Sequence, residues 1–217
     1  MAITNFTELK TAVQDWLDDT SLATKSEDFI ALAEARFNRT LRAQDMEVRV
    51  SLTVGGAPVD LIALPTDFLE LREVHIEATP DEPLAYRSPQ FVENIRDQLT
   101  GSPIYYSVET KNLTFAPQAL ATTVFSVLYF QKIPALTVGN PTNWLITNHP
   151  DVYLYGALIQ AEAFLVNDQR LAIWKVALDE AMAELRSVSD FARAGGEPNT
   201  RGNRQVNVAP QITQSAG

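Results

Sequence analysis

The sequence has 217 residues, with 27 acidic and 17 basic side chains, a formal net charge of −10 and no cysteine. The acidic balance argues against a protein that grips nucleic-acid phosphates, because such binding needs a surplus of lysine and arginine. The absence of cysteine excludes disulfides, thiol catalysis and zinc sites built on sulfur.

Residues 1–44 predict a helical hairpin. Asn5 and Glu8 have the spacing of a capping box, with asparagine in place of the usual serine or threonine. The apolar residues of the first helix lie three and four positions apart and share one face: Phe6, Leu9, Val13 and Trp16. After a short loop, a second helix is predicted to begin near Ser26. Its apolar stripe consists of Ile30, Ala33, Phe37 and Leu41.

Residues 45–142 predict a mainly antiparallel β insertion, because the hydrophobic period changes here from helical to alternating. EVRVSLTV reads as a half-buried strand, GGAP turns the chain, and VDLIALP is predicted to return it. LPTDF predicts a brief helical turn before a strand through Val74 and Ile76. SPQFVENIRDQ predicts a short helix with Ser88 as its cap and Pro89 first. A hairpin turning at residues 109–112 and a strand in TTVFSVLYFQ complete the region.

Residues 143–192 predict a second helical hairpin, which completes a bundle with the first. Pro150 suits the first position of a helix, and Asp151 suits its positive end. Apolar residues cover two stripes of this helix: Leu154, Leu158, Ala161 and Leu165 on one, and Val152, Tyr155 and Ile159 on the other. Such a helix needs cover on most of its circumference. We expect its own bundle to cover one stripe, and the β insertion or a neighbouring subunit to cover the other.

The last helix is predicted to be capped by Asn167 or Asp168 and ended by the two glycines at 195 and 196. Its stripe consists of Leu171, Trp174, Leu178, Ala181, Leu185 and Val188. The overall prediction is an α+β fold, mainly α, in which the helical bundle carries an antiparallel β insertion and an extended C-terminal tail.

The tail, residues 193–217, is rich in Gly, Asn, Gln and Pro, so we expect it to be mobile or extended in the free subunit. From Ala192 onward the net charge is +2, which leaves −12 on the rest of the chain. QVNV alternates polar and apolar residues, as expected of a segment that adds to a sheet edge or fills a groove on binding. Composition alone fits a permanently disordered end equally well.

The sequence offers little that supports catalysis, so we predict that the protein is not an enzyme and uses no cofactor. His75 and His149 are isolated, and isolated histidines are more often structural than catalytic. HPD at 149–151, a mark of J-domain co-chaperones, lacks the basic helix that precedes it there, and it is explained by the start of a helix. Asp15, Asp18 and Asp19 are interpreted as a solvated helix end.

A group of aromatic residues in the β region could form a base-stacking platform, but without interleaved lysine or arginine it is interpreted as sheet core. The group consists of Tyr105, Tyr106, Phe125, Tyr129 and Phe130.

Several segments follow one another in a characteristic order. LPTDFLELREV and GSPIYYSVETKNLTFAPQ precede the most distinctive part, YFQKIPAL, NWL and PDVYLYGAL. This order resembles the head-to-tail adaptor (connector, or head-completion) proteins of tailed bacteriophages, particularly those of short-tailed phages. The resemblance extends from about residue 6 to residue 191.

The resemblance implies a ring, commonly a dodecamer, beneath the portal of the capsid. It implies that the helices form the ring body, that the β region meets the downstream tail or nozzle protein, and that the C-terminal tail binds the portal protein. Such a ring joins head to tail, retains the packaged DNA and serves as its conduit during ejection. Double-stranded DNA would pass through an acidic lumen without specific binding, because carboxylates repel phosphate.

These implications locate the candidate sites. The portal-binding residues are predicted in the tail: Arg201, Arg204, Val206, Val208 and Ile212. The subunit contact is predicted at Val152, Tyr155, Ile159 and Trp174. We expect a virion component at the head–tail junction, assembled in the bacterial host cytoplasm, with no membrane span. The alternatives are a small cytosolic hydrolase with an unrecognised acidic site and a monomeric assembly chaperone.

Overall fold

The computed structural model describes residues 2–77, 82–165 and 168–193. About 48% of the described residues are helical and 25% are in strands, which confirms the predicted α+β class. Residues 194–217 lie outside the described residues. This range includes the two glycines expected to end the last helix and all five predicted portal-binding residues. Asn167, one of the two candidate caps, also lies outside them.

Six α-helices occur within the described ranges. They are α1 (Phe6–Leu17), α2 (Ser26–Thr40), α3 (Pro89–Arg96), α4 (Trp144–Asn148), α5 (Pro150–Leu165) and α6 (Asp168–Arg193). Helix α5 lies at the centre of a helical layer, where it contacts α1, α2, α4 and α6. Its neighbours cover it on almost every side, which explains how so apolar a helix is accommodated.

Eight strands form two sheets in the described part of the chain. They are β1 (Glu47–Thr53), β2 (Val59–Ala63), β3 (Phe68–Ile76), β4 (Glu82–Pro83), β5 (Ala85–Tyr86), β6 (Tyr105–Glu109), β7 (Asn112–Ala119) and β8 (Val124–Gln131). Sheet A has the order β1-β8-β3-β4, and sheet B the order β2-β7-β6-β5. All pairs are antiparallel except β5 with β6. The hairpin at residues 109–112 is confirmed, since Glu109 pairs with Asn112.

The return of the chain after GGAP differs from the expected one. β1 pairs with β8, whereas β2 crosses to the other sheet and pairs with β7. The two sheets meet where Phe115 and Phe125 stack with ring centroids 4.1 Å apart, and both side chains are fully buried. The long apolar strands β7 and β8 therefore each belong to a different sheet and share one core. Tyr106, Phe125 and Tyr129 belong to the sheet core as predicted, whereas Phe130 is part of the core of the helical layer and Tyr105 is only partly buried.

The ends of the helices follow their capping residues. Asn5 Oδ1 accepts the amide N–H of Glu8 at 3.0 Å, as a cap does. The carboxylate of Glu8 turns to the amide N–H of Thr4 (2.7 Å) rather than to that of Asn5. Ser88 occupies the cap position of α3, but its side chain makes no capping hydrogen bond. The sequence reading missed α4, whose cap is Asn143: its Oδ1 accepts the amide N–H of Ile146 at 3.0 Å.

Three predicted stripe residues are exposed, among them Leu165 at the end of α5. Trp16 is 45% exposed because α1 ends one residue later, beside the rim of the layer. Val188 is 65% exposed, and Ser189 is buried in its place. Seven residues of an ideal helix turn about 20° less than two full turns. A stripe followed in seven-residue steps therefore drifts off the buried face.

A buried polar network fixes the segment between β8 and α4 to the helices. Glu34 Oε1 accepts the amide N–H of Leu136 (2.8 Å) and the hydroxyl of Tyr153 (3.0 Å). The Asn143 amide donates to the hydroxyl of Tyr153 (2.7 Å) and to the carbonyl of Pro134 (2.7 Å). The Leu136–Glu34 and Asn143–Tyr153 bonds join this segment to α2 and α5, so the network holds the connection that follows β8 against the helical layer.

Among the described residues, no helix is long and apolar enough to cross a bilayer.

Candidate interaction surfaces

The four predicted interface residues lie at two different depths. Val152 is fully buried, and Ile159 is 9% exposed. Tyr155 and Trp174 are partly buried and stack with centroids 6.1 Å apart. Trp16, which was not predicted here, joins them at 5.3 Å from Trp174 and 6.4 Å from Tyr155.

The second apolar stripe of α5 is therefore covered by helices of its own chain. We expected the β insertion or a neighbouring subunit to cover it, but the principal contacts of α5 are with α1, α2, α4 and α6. Val152 and Ile159 belong to the core of the helical layer. A surface for a neighbouring protein must lie elsewhere on the layer.

Such a surface lies on the outward face of α6. Leu178, Met182 and Leu185 are buried on the inward face, whereas Ile173 and Val176 are 61% and 58% exposed. Val188 and Phe191 extend the exposed apolar positions towards the end of the helix. Helix α6 is therefore apolar on both faces, and only its inward face is covered in the isolated chain. The signal was present in the sequence as apolar residues off the main stripe.

Helix α2 runs beside α6 in the same direction. Arg36 Nη2 lies 3.7 Å from Asp179 Oδ1, and Arg186 Nη2 donates to the carbonyl of Thr40 at 3.3 Å. Leu32 lies one turn before Arg36 and is 54% exposed.

Phe164 and Leu165, at the end of α5, are also exposed, and the ring of Phe164 lies 5.6 Å from that of Phe29 in α2. These residues lie at the end of the helical layer that is remote from the β region. We call the set the helical surface: Leu32, Phe164, Leu165, Ile173 and Val176.

A buried carboxylate lies beneath this end of the layer. Glu162 is 1% exposed, and its Oε1 lies 3.4 Å from Arg170 Nε and 3.5 Å from Trp174 Nε1. Arg170 also donates from Nη1 to the carbonyl of Trp16 at 3.2 Å. The ion pair therefore joins the start of α6 to α5 and α1 below the aromatic group.

Further exposed apolar residues lie on sheet B, on α3 and in their loops. We call this set the sheet surface: Leu61, Tyr86, Phe91, Leu99, Ile104 and Leu120. Phe91 of α3 meets Tyr105 edge-on at 5.5 Å, and the guanidinium of Arg87 lies over both rings at 5.9 and 5.2 Å. Leu99 and Leu120 line one open cavity of about 340 Å³.

In the described part of the chain, the two histidines lie in different layers. His75 Nε2 lies 2.7 Å from Glu73 Oε1 on the same strand, and His149 follows the last residue of α4 in another layer. Asp19 caps the turn that follows α1 by accepting the amide N–H of Ser21 at 2.9 Å. In the parts of the chain that the structure describes, no three His, Cys, Asp or Glu side chains are grouped to hold a metal ion.

A comparison with curated proteins found no match to the chain. A comparison with protein families matched residues 4–204 to the family described as SU10 adaptor protein. The match spans both surfaces and nearly all of the chain. The chain therefore belongs to the SU10 adaptor protein family of bacteriophage structural proteins.

Proposed function

We propose that this adaptor forms a ring beneath the capsid portal, in which neighbouring copies pack through the helical surface. The observation that carries the proposal is the outward face of α6, whose apolar residues Ile173 and Val176 are exposed although the opposite face is buried. A stable contact buries about 800 Å² on each partner. A head-to-tail contact that closes on itself gives a ring rather than a filament.

The originally predicted contact residues act indirectly in this proposal. Val152 and Ile159 are core residues, and Tyr155 and Trp174 stack behind the start of α6. They hold α6 in place, while the helical surface meets the next copy.

The β region faces the tail or nozzle protein in the proposed assembly. Its exposed apolar residues supply a surface that is independent of the ring contact. The domain division follows the same functions: a helical hairpin over residues 1–44, a tail-facing β insertion over 45–142, a second hairpin over 143–192 and a portal-binding segment over 193–217.

The C-terminal segment meets the portal through Arg201, Arg204, Val206, Val208 and Ile212. Two arginines followed by alternating valines suit a partner groove with acidic and apolar parts. The remaining body carries −12, so carboxylates around a lumen would repel DNA phosphates and let the duplex pass without sticking. The ring would then retain packaged DNA by its position and guide it on ejection.

Electron microscopy of the full-length chain mixed with its purified portal tests the proposal. We expect a closed ring of this protein on one face of the portal. A chain ending at Gly196 lacks the predicted portal-binding residues, so it should leave the portal bare while the free subunit keeps its thermal unfolding transition. A full ring formed by the shortened chain would contradict the role of the tail, and the absence of any complex with the full-length chain would contradict the ring.

A further inference from the structure

A groove of about 600 Å³ lies between α1 and the start of α5. We call it the α1–α5 groove, and its lining includes Ile3, Ala12, Trp16 and Leu154 together with the carboxylates of Asp15 and Asp151. Ala12 and Leu154 are buried, whereas Trp16 is 45% exposed. The groove therefore offers a large indole surface beside a buried apolar base, which suits the apolar side chains of another polypeptide.

The two carboxylates make this groove acidic. Asp15 belongs to the last turn of α1 and Asp151 to the first turn of α5, and both residues are exposed. Among the described residues, neither carboxylate forms an ion pair or a hydrogen bond. A partner that enters the groove should therefore bring a positive charge beside its apolar surface.

The first turns of α6 present this combination of side chains. Ile173 and Val176 are 61% and 58% exposed, and Lys175 lies between them in the sequence. Lys175 is itself exposed, and no carboxylate pairs with it in the part of the chain that the structure describes. Two aliphatic side chains beside an unpaired ammonium group complement the apolar lining and the carboxylates of the α1–α5 groove.

The rest of the outward face of α6 does not fit the groove. Glu180, one turn after Val176, and Glu184 are exposed and would repel the carboxylates of the groove. The exposed Val188 and Phe191 lie beyond these two glutamates along the helix. The match is thus confined to the first turns of α6, and the contact ends at Glu180.

The first turns of α6 cannot fill the groove of their own chain. Leu178 is fully buried on the inward face of α6, and Val176 lies about 200° around the helix from it. Trp16, which lines the groove, contacts the inward residue Trp174 with ring centroids 5.3 Å apart. The groove therefore lies on the inward side of α6, whereas Ile173 and Val176 are on the outward side. Only a second copy can bring the two together.

We infer that the first turns of α6 in one copy dock in the α1–α5 groove of the next copy, and this inference rests on the proposed function. Ile173 and Val176 cover the indole of Trp16 in the next copy, and Lys175 pairs with the two carboxylates there. The proposed ring contact thereby gains its second half, because a head-to-tail contact joins two different faces of the subunit.

Cross-linking between copies on the portal tests this contact. The chain has no cysteine, so V176C places a single thiol on α6, and T147C places one in the groove, where Thr147 is exposed. The two variants carry tags of different size, are mixed in equal amounts with the purified portal, and are treated with a short bis-maleimide. We expect a mixed V176C–T147C product, and the loss of any mixed product when V138C, at an 83% exposed loop position, replaces T147C.

A product that joins two V176C chains in place of the mixed one would overturn the inference, because it would pair the outward face of α6 with itself. Complete rings on the portal without the mixed product would also overturn it, while the proposed ring would stand. The absence of rings in microscopy would contradict the ring and this contact together.

Reversal of the charges measures the contact independently. Lys175→Glu brings a carboxylate against Asp15 and Asp151, so the concentration of this chain that completes rings on the portal should rise by about tenfold. Adding Asp15→Lys to the same chain should lower that concentration again, because opposite charges then meet. Both positions are exposed, so the thermal unfolding transitions should stay unchanged. Equal concentrations for the natural chain and both variants would overturn the pairing of Lys175 with the groove.

Discussion

Arg193 Nε lies 2.8 Å from Oε1 of Glu47, so the last turn of α6 is joined to the first residue of β1. The same carboxylate oxygen accepts from Arg72 Nη1 at 3.1 Å. The guanidinium groups of Arg42, Arg72 and Arg193 all lie within 6 Å of the ring of Phe130. This cluster fixes both the helical layer on sheet A and the starting point of the C-terminal segment.

Replacing Arg193 by alanine should loosen the end of α6 without unfolding the chain. The substitution removes the Glu47 and Arg42 contacts, and because the side chain is only partly buried the loss of stability should be about 1 kcal/mol. Hydrogen exchange should increase in the last turn of α6 and remain unchanged around Leu178. Lys175→Ala, at an exposed position of the same helix, is the control. Unchanged exchange in the last turn would show that the cluster does not hold it.

Gly156 of α5 lies in close contact with α2. A Cβ built at this residue would meet Phe37 Cε1 at 3.0 Å, Ala33 Cβ at 3.2 Å and Phe37 Cζ still closer. We expect Gly156→Ala to destabilise the chain by about 1–3 kcal/mol, because overpacking outweighs the gain in helix propensity. Urea unfolding measures the difference. Gly55→Ala has nothing within 4 Å of its added methyl group, so it should have little effect, and a stabilised Gly156→Ala would contradict the close packing.

Local sequence patterns predicted where the helices lie better than they predicted which elements pack against them. The stripe of α2 contains Ile30, Ala33 and Phe37, and all three are buried in the layer in which α2 packs against α5. The same logic failed for Trp16, because a stripe does not show that its own helix ends one residue later. It failed for β2 as well, since alternation shows which face of a strand is buried but not which sheet it enters.

The candidate surfaces were harder to predict than the fold. An apolar helix demands cover, but the sequence does not show that α6 and α1 supply it for α5. The predicted contact at Val152 and Ile159 thus became core, while the exposed apolar positions are Ile173 and Val176. Burial depends on the arrangement of all the helices at once, so only the three-dimensional structure separates the two sets.

The buried carboxyl of Glu34 should make the stability of the folded chain depend on pH. Burial raises the pKa of this carboxyl above its ordinary value of 4.5, although the hydrogen bonds from Leu136 and Tyr153 partly oppose the shift. The ionised form is therefore disfavoured in the folded chain. Its contribution to stability is complete below pH 4.5 and is lost as the pH rises through the folded-state pKa.

Glu34→Gln keeps an oxygen that can accept both hydrogen bonds but cannot ionise. The free energy of unfolding of the variant, minus that of the natural chain, should therefore increase as the pH rises from 4.5 towards neutrality and then level off, so that the variant becomes relatively more stable. Urea unfolding of both proteins at a series of pH values measures this difference. A difference in unfolding free energy that stays the same at every pH would show that Glu34 has the same pKa in the folded and unfolded chains.

A substitution at Val176 is the most direct test of the ring contact. It is exposed in the free subunit, so Val176→Glu should leave the thermal unfolding transition within about 2 °C of the natural one. A charge buried without a partner costs several kcal/mol, so the variant should fail to close a ring on the portal. Single copies should still bind, because the portal contact is assigned to the C-terminal segment. Negative-stain microscopy and the subunit-to-portal ratio of the purified complex measure the outcome.

The control is Val138→Glu, at a loop position outside the helical surface, which should give complete rings. Complete rings with Val176→Glu would place the subunit contact on another face.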